Sequence, residues 1–422
     1  MQSKIWEYKS KQLNKEDVRA FGEKHGLPPV IACIMLNRGI REDRDVLAYL
    51  KKGLDCVNNP YDFDDMEAAV ERIVSAVNNH EKIMIYGDYD VDGITATSLL
   101  LKFLKSIDAD VDFYIPDRHK EGYGLNIVAI NKLIKTGTKL FVTVDCGITG
   151  MGEVEFAKTL GVDFIITDHH TCKEEIPRAV AVINPKRPDS SYGFDSLAGV
   201  GVAFKLVLAL CIKLGIDTKT AFMEYADLTA IGTIADVVPL LGENRVIVEK
   251  GVGALANTKN QGIKALFAVA GMGNKTPDAQ SIAFAISPRL NAAGRMENAE
   301  IAVRLLTEEN YDEALKIAQY LDSLNRKRQE TEQIIYKQAL EQIESYETEQ
   351  NVYVLSSDNW HSGIIGIVAS KLSESLYRPC ILISCEDGKG KASGRSIEEM
   401  NLFDALTECD ELLTAFGGEG GT

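Results

Sequence analysis

The 422-residue chain carries 62 acidic and 46 basic side chains, for a net charge of −16, and is 45% hydrophobic and 26% charged. That is enough for about two or three domains with their own cores, in the composition of an ordinary globular protein. It excludes a protein coated in basic surface, so any phosphate backbone would be met by a local basic groove and bound metal. No apolar run reaches the roughly eighteen residues of a membrane span, because Lys205 and Lys213 interrupt the best candidate. The start, Met1-Gln-Ser-Lys-Ile-Trp6, has no apolar signal core. Eight scattered cysteines without a Cys-x-x-Cys pair read as reduced thiols of a cytoplasmic protein.

In chain order, residues 1–60 read as a helical extension, clearest at Lys15–Phe21. Residues 61–308 form the larger unit. Its strand-like runs are Lys82–Tyr86, Val111–Ile115, Lys139–Val144, Asp163–Thr167 and Val180–Asn184, with helical patterns at Thr95–Ser106, Ile127–Lys135 and Gly152–Leu160. Short buried strands alternating with helices predict an α/β fold with a mostly parallel sheet, whose ligands collect beyond the carboxyl ends of the strands. From Gly199 to Ala270 the pattern is helical, and Asp236 closes one of these helices. Residues 309–348 hold one uninterrupted amphipathic helix, Tyr311–Tyr346, with Asn325-Arg-Lys-Arg328 in its middle, expected to be a rigid connector. Residues 349–422 make a smaller second α/β lobe: strand Asn351–Leu355, helix Ile364–Leu376, strand Pro379–Cys385, a Gly/Lys/Ser segment and helix Leu402–Phe416. The glycine-rich end, Gly417 to Thr422, reads either as a truncated or damaged terminus or as a native flexible tail.

Four acid-rich patches carry the chemistry: Asp88-Tyr-Asp90-Val-Asp92-Gly93, Asp145-Cys-Gly147, Asp168-His169-His170 and Ala235-Asp236. The first three follow strand-like runs, so they fall on one sheet edge. Carboxylates gathered there repel one another and lose hydration unless cations sit between them. A mixed Asp/His set suits Mn²⁺ or Mg²⁺, and two such ions ~3.5–4 Å apart clamp a phosphoryl group and activate water. A calcium loop is excluded, since its twelfth position counted from Asp88 is Leu99 rather than a glutamate. Only six histidines occur in the chain, and two adjoin Asp168. Asp168 is expected to hold one imidazole while the other faces the substrate phosphate.

In this order the four motifs resemble the DHH phosphoesterase superfamily. Four further segments resemble its RecJ family: Pro116-Asp-Arg118-His-Lys-Glu121-Gly-Tyr-Gly124, Ser287-Pro-Arg289-Leu-Asn291-Ala-Ala-Gly294-Arg295-Met296, Trp360-His361-Ser-Gly363-Ile-Ile-Gly366 and Ser393-Gly-Arg395-Ser396. The resemblance runs from about residue 20 to 418. It implies a DHH catalytic domain at 61–308, a DHHA1-like substrate-binding domain at 349–422, and hydrolysis of single-stranded DNA from the 5′ end in DNA repair and recombination. It implies metal ligands at Asp90, Asp92, Asp145, His169 and Asp236, with Asp145 bridging two ions and Asp88 in the same motif; Asp145, His169 and His170 would serve catalysis. Arg118, Arg289, Asn291 and Arg295 resemble DNA-contacting positions, and Ser393 and Arg395 part of a pocket for the 5′ end. For Arg289 and Arg295 phosphate contact is expected over pairing with surplus acid.

Two departures from the family stand out. Gly417-Gly418 is followed by Glu419 where the family carries histidine, and no OB-type single-strand-binding domain follows. A carboxylate there would repel a phosphate, so this chain is expected to digest poorly. The implied partners are single-stranded DNA and a helicase or single-strand-binding protein, met by a monomer without a membrane. Two other functions stay open: a DHH enzyme acting on oligoribonucleotides or cyclic dinucleotides, and a non-catalytic DNA-binding or scaffold subunit.

Overall fold

The computed structural model describes residues 13–51, 53–118, 121–122, 124–273, 275–414 and 417. Among them, five strands form the first sheet: β1 (Lys82–Tyr86), β2 (Val111–Tyr114), β3 (Thr138–Val144), β4 (Asp163–Thr167) and β5 (Ala181–Ile183). They run parallel in the order β2-β1-β3-β4-β5. Strands β1, β3, β4 and β5 are mostly buried, their alternate side chains pointing to opposite faces of the sheet, whereas edge strand β2 is partly exposed. From β1, Ile83 and Ile85 enter the main core with helices Met66–Asn78, Val91–Ser106 and Gly199–Leu214, whereas Met84 and Tyr86 pack under helices Ile127–Ile134 and Met151–Thr159. The chain order reverses at β1 and β3, and the crevice beyond their carboxyl ends is where such sheets bind ligands.

The long helix spans Tyr311–Glu344, started by Asn310, whose side chain accepts the Asp312 and Glu313 N–H groups. Its first half buries Ala314, Ala318, Leu321 and Leu324 in the core of the first lobe. Its second half buries Ile335 and Ala339 in the core of the second. One helix is thus shared by two cores. The second lobe has strands β6 (Tyr353–Ser357), β7 (Cys380–Glu386) and β8 (Lys389–Arg395), with β6 parallel and β8 antiparallel to β7.

Three local expectations are corrected. The helix after β1 starts at Val91, not Thr95, because Asp90 caps it by accepting the Gly93 N–H. Asp92 therefore sits in a helical turn rather than on a loop. The Gly/Lys/Ser segment is strand β8, formed by a two-residue Asp387-Gly388 turn with φ of 49° and 76°. The last helix is only Leu402–Thr407, since none of its residues is buried and no packed face extends it. The expected end of that helix, Ala415 and Phe416, and the departure at Gly418 and Glu419 lie outside the described residues. So do His119, Lys120, Tyr123 and residues 1–12. No helix among the described residues is long and apolar enough to cross a membrane.

Candidate metal centre and adjoining arginine cluster

The four acid patches meet at one point at the β1/β3 crevice. Asp88 follows β1 and is 4% exposed; Asp90 caps the next helix and Asp92 lies in its first turn. Asp145 follows β3 in left-handed backbone, with φ at 61°. That conformation costs a non-glycine residue on the order of 1 kcal/mol and persists where surrounding structure enforces it. His169 and His170 follow β4, and Asp236 caps the carboxyl end of the helix Thr218–Ala235.

Donor atoms within 4.8 Å of one another come in three sets: Asp88, Asp90 and Asp145; Asp92, His169 and Asp236; and Asp145, His169 and His170. Asp145 and His169 link the sets. His169 Nε2 stands 3.1 Å from Asp145 Oδ1 and 3.8 Å from Asp92 Oδ2, and its Nδ1 is 3.7 Å from Asp236 Oδ2. Asp88 Oδ1, Asp145 Oδ1 and His169 Nδ1 are buried with no hydrogen bond among the described residues. Buried polar atoms are normally hydrogen-bonded, so three such atoms converging in an Asp/His set fit a divalent cation site.

The electrostatics agree. Burial, then repulsion from Asp90, holds the Asp88 carboxyl well above its ordinary range. Burial, then Asp92, Asp90 and Asp88, does the same to Asp145. Burial and Asp236 raise Asp92 to about 7, against attraction from His169. Burial lowers the His169 imidazole, which favours the neutral form that metal binding needs. Without cations the cluster resists its own ionisation.

Two supports fix the cluster. The Asp92 carboxylate accepts the Gly199 N–H at 2.6 Å and the Val200 N–H at 2.8 Å, at the amino end of the helix Gly199–Leu214. Asp168 accepts the backbone N–H groups of Ile148, His169 and His170, and its Oδ1 lies 2.7 Å from His170 Nδ1. Burial pushes the Asp168 carboxyl up, but these hydrogen bonds outweigh it and hold it below its ordinary value. The imidazole that Asp168 holds is thus His170, which leaves Nε2 as its second nitrogen.

An arginine cluster adjoins the acids. Arg118 lies 4.9 Å over the Tyr89 ring, and its carbonyl accepts from Lys391 of β8 at 3.4 Å. Gly294 packs so closely that an added Cβ would stand 2.4 Å from the Tyr89 carbonyl. The next residue, Arg295, donates to the Gly363 carbonyl at 3.3 Å. Ser393 and Arg395 reach Gly366 from β8. Burial, then Arg118 and Arg328, lowers the Arg295 guanidinium to about 10, with Asp90 opposing. Guanidinium groups crowded beside an acid cluster suit an anion that bridges to bound cations.

Arg289 is placed differently. Its guanidinium bonds Asp322 of the long helix at 2.9 and 2.8 Å and the Ala285 carbonyl at 2.5 Å. Of the two readings weighed for it, the ion pair is the one made. Asn291 lies half-buried on the same helix, one turn before Arg295. Two contributors were not named from sequence. Arg328 joins the cluster, held by Asn325 at 3.2 Å and Glu332 at 2.6 Å; the basic run was visible but its direction was not. Gly199 abuts Asp145, and the only signal was glycine opening a helix in Ala198-Gly199-Val200-Gly201.

The DHH family N-terminal domain matches residues 82–233, and the DHHA1 domain matches residues 349–421. The chain is 41% identical over 415 residues to the single-stranded-DNA-specific exonuclease RecJ of Bacillus subtilis (strain 168), across 98% of this chain and 52% of that protein. It is 37% identical over 411 residues to the protein of that name from Escherichia coli (strain K12), across 93% and 70%. It therefore spans about half the length of the Bacillus relative. Among solved structures, exonuclease RecJ bound to manganese superposes with TM-score 0.76 at 35% identity, over 85% of this chain and 89% of that one. RecJ in complex with Mn²⁺ from Thermus thermophilus gives 0.80 at 33%, over 96% and 57%.

Proposed function

The chain belongs to the RecJ family, and from that premise we propose that it is a metal-dependent exonuclease that hydrolyses single-stranded DNA from the 5′ end. The observation that carries the proposal is the meeting of Asp88, Asp90 and Asp145 with Asp92, His169 and Asp236 around one buried point. These six residues would hold two Mn²⁺ or Mg²⁺ ions, with Asp145 close enough to His169 to link the two groups. The relatives of solved structure bind Mn²⁺ or Mg²⁺. Bound there, such cations lower the pKa of coordinated water and neutralise charge on a phosphodiester.

The chain's own groups do the rest. Asp168 orients His170 so that its Nε2 faces the phosphate. Arg118, Arg295, Arg395 and Ser393 receive the terminal phosphate by fork and hydroxyl contacts that read no base. Asn291 lines the same approach, while Arg289 shapes it from behind. The division into residues 1–60, 61–308, 309–348 and 349–422 puts the metal centre in the second unit and Ser393 and Arg395 in the fourth. Substrate then lies between lobes fixed by the long helix, in a cleft for one strand; a helicase or single-strand-binding protein would supply that strand to a cytoplasmic monomer.

One assay tests this. The chain is given 5′-phosphorylated single-stranded DNA, duplex DNA, RNA and a dinucleotide, each with Mn²⁺, Mg²⁺ or EDTA. Cation-dependent release of 5′ mononucleotides from the single strand is expected. Preference for the dinucleotide or RNA points to the oligoribonuclease-type activity, and binding without hydrolysis in every cation points to a scaffold.

A further inference from the structure

The helix that carries Arg289, Asn291 and Arg295 is preceded by a five-residue π turn, Ile282–Ile286. Such turns are rare and concentrate at functional positions. This one is braced from outside. Ser287 Oγ donates to the Ile282 carbonyl at 3.0 Å, and Arg289 Nη1 donates to the Ala285 carbonyl. The same guanidinium is anchored by Asp322, a buried carboxylate of the long helix that also takes Arg326. Within this turn, Ile282 and Ile286 are fully buried, whereas Phe284 is 77% exposed. Leaving a phenylalanine in water forgoes about 1.5–3 kcal/mol of burial. Here three side chains hold the backbone that keeps it there.

The position has a scale. Ten residues beyond Phe284, Gly294 touches the carbonyl of Tyr89, inside the first acid patch. Ten residues of helix advance about 15 Å, which matches about four nucleotides of a stacked strand and fewer of a stretched one. An exposed ring at that remove suits the π-face of a base. Stacking of this kind tolerates any sequence, as a nuclease that reads no base requires. It also favours single strands, because duplex bases already cover one another. The chain's net charge of −16 leaves little general attraction for DNA, so a contact that does not depend on charge has more to contribute.

We propose that Phe284 is a base-stacking contact for the single strand whose phosphate end lies in the arginine cluster, and that Arg289 is the positioning residue that holds its π turn. The proposal rests on the nuclease reading above. On a 5′-phosphorylated 12-mer with Mn²⁺, Phe284→Ala raises KM about five- to 150-fold, equivalent to the ~1–3 kcal/mol of one base–aromatic stack. The loss falls in KM rather than kcat, and a dinucleotide, too short to reach the ring, shows the smaller loss. Phe284→Trp retains affinity, and its fluorescence, after subtraction of the chain's two native tryptophans, is quenched by oligothymidylate. Arg289→Ala raises KM similarly, and the double variant loses no more than either single one.

An unchanged KM in Phe284→Ala, an equal loss on the dinucleotide, or no quenching in Phe284→Trp overturns the stacking contact. Additive losses in the double variant overturn the role of Arg289 by putting it on a phosphate of its own. A wild-type chain that digests no single strand sinks the nuclease reading instead, and the quenching experiment still decides the contact.

Discussion

Gly199→Ala isolates the geometry of the acid cluster without removing a ligand. The new Cβ would stand 2.4 Å from Asp145 Oδ1, 2.6 Å from its Cβ and 2.7 Å from its Cγ. Carbon atoms pack at about 3.5–4.0 Å, so one side must give way by about 1 Å. Asp145 has little room, being buried, left-handed at φ 61° and 3.1 Å from His169. The helix is no freer, because the Gly199 and Val200 N–H groups hold Asp92. Either movement displaces Asp145 or Asp92. Alanine's helix preference is worth at most about 1 kcal/mol and overpacking costs about 1–3, so the clash wins. A 1 Å misplacement costs roughly 100-fold in turnover. The expected outcome is a folded protein with about 100-fold slower Mn²⁺-dependent release of nucleotides and a smaller Mn²⁺-induced rise in melting temperature. Wild-type turnover with an undiminished Mn²⁺ effect would refute the packing of Gly199 on a bridging Asp145.

Asp145→Ala abolishes hydrolysis while the chain stays folded, since the cluster loses the carboxylate that links Asp88 and Asp90 to His169; normal turnover by a folded variant argues against a two-ion site. Mn²⁺ at one hundred times its Kd stabilises the first lobe by about 2.7 kcal/mol, or about 5–10 °C, and no shift in a melting scan means the acids hold no cation. The Asp92 carboxyl, at about 7 without metal, lies above its unfolded value of about 3.9. Its contribution to metal-free stability is thus complete below about pH 3.9 and is lost as pH rises through about 7. Cations need the ionised form, so the Mn²⁺-induced shift is larger at pH 8 than at pH 6, and the reverse order removes Asp92 from the ligand set. Arg395→Ala lowers the preference for 5′-phosphate over 5′-hydroxyl ends about tenfold, from loss of a charge-assisted contact, with little change in Mn²⁺ affinity. Equal kcat/KM ratios for the two ends before and after substitution would leave Arg395 a surface ion-pair partner.

The sequence by itself determined the features that depend on neighbours along the chain. β1 and β4 have the bounds expected, and the other strands expected of the first sheet differ by a residue or two, because short apolar runs closed by Gly, Asp or Asn define a buried parallel strand. The acid patches beyond β1, β3 and β4 were fixed to one sheet edge by the same logic. The long helix was legible because no glycine or proline breaks its amphipathic pattern. Strand β8 was within reach through Asp387-Gly388, yet its own residues, Lys-Gly-Lys-Ala-Ser-Gly-Arg, have no strand preference and rely on β7.

Tertiary structure alone decided which side chains meet. Asp236 joins Asp92 and His169 from a separate helix, a convergence that no spacing encodes. His170 rather than His169 is held by Asp168, because the hydrogen bond follows from how the chain leaves β4. Arg289 and Arg295 sit in one motif, yet Arg289 turns to Asp322 while Arg295 faces Arg118 and Arg328. Six positions on a helix place two side chains on different faces, and the partner each finds is set by the element packed there.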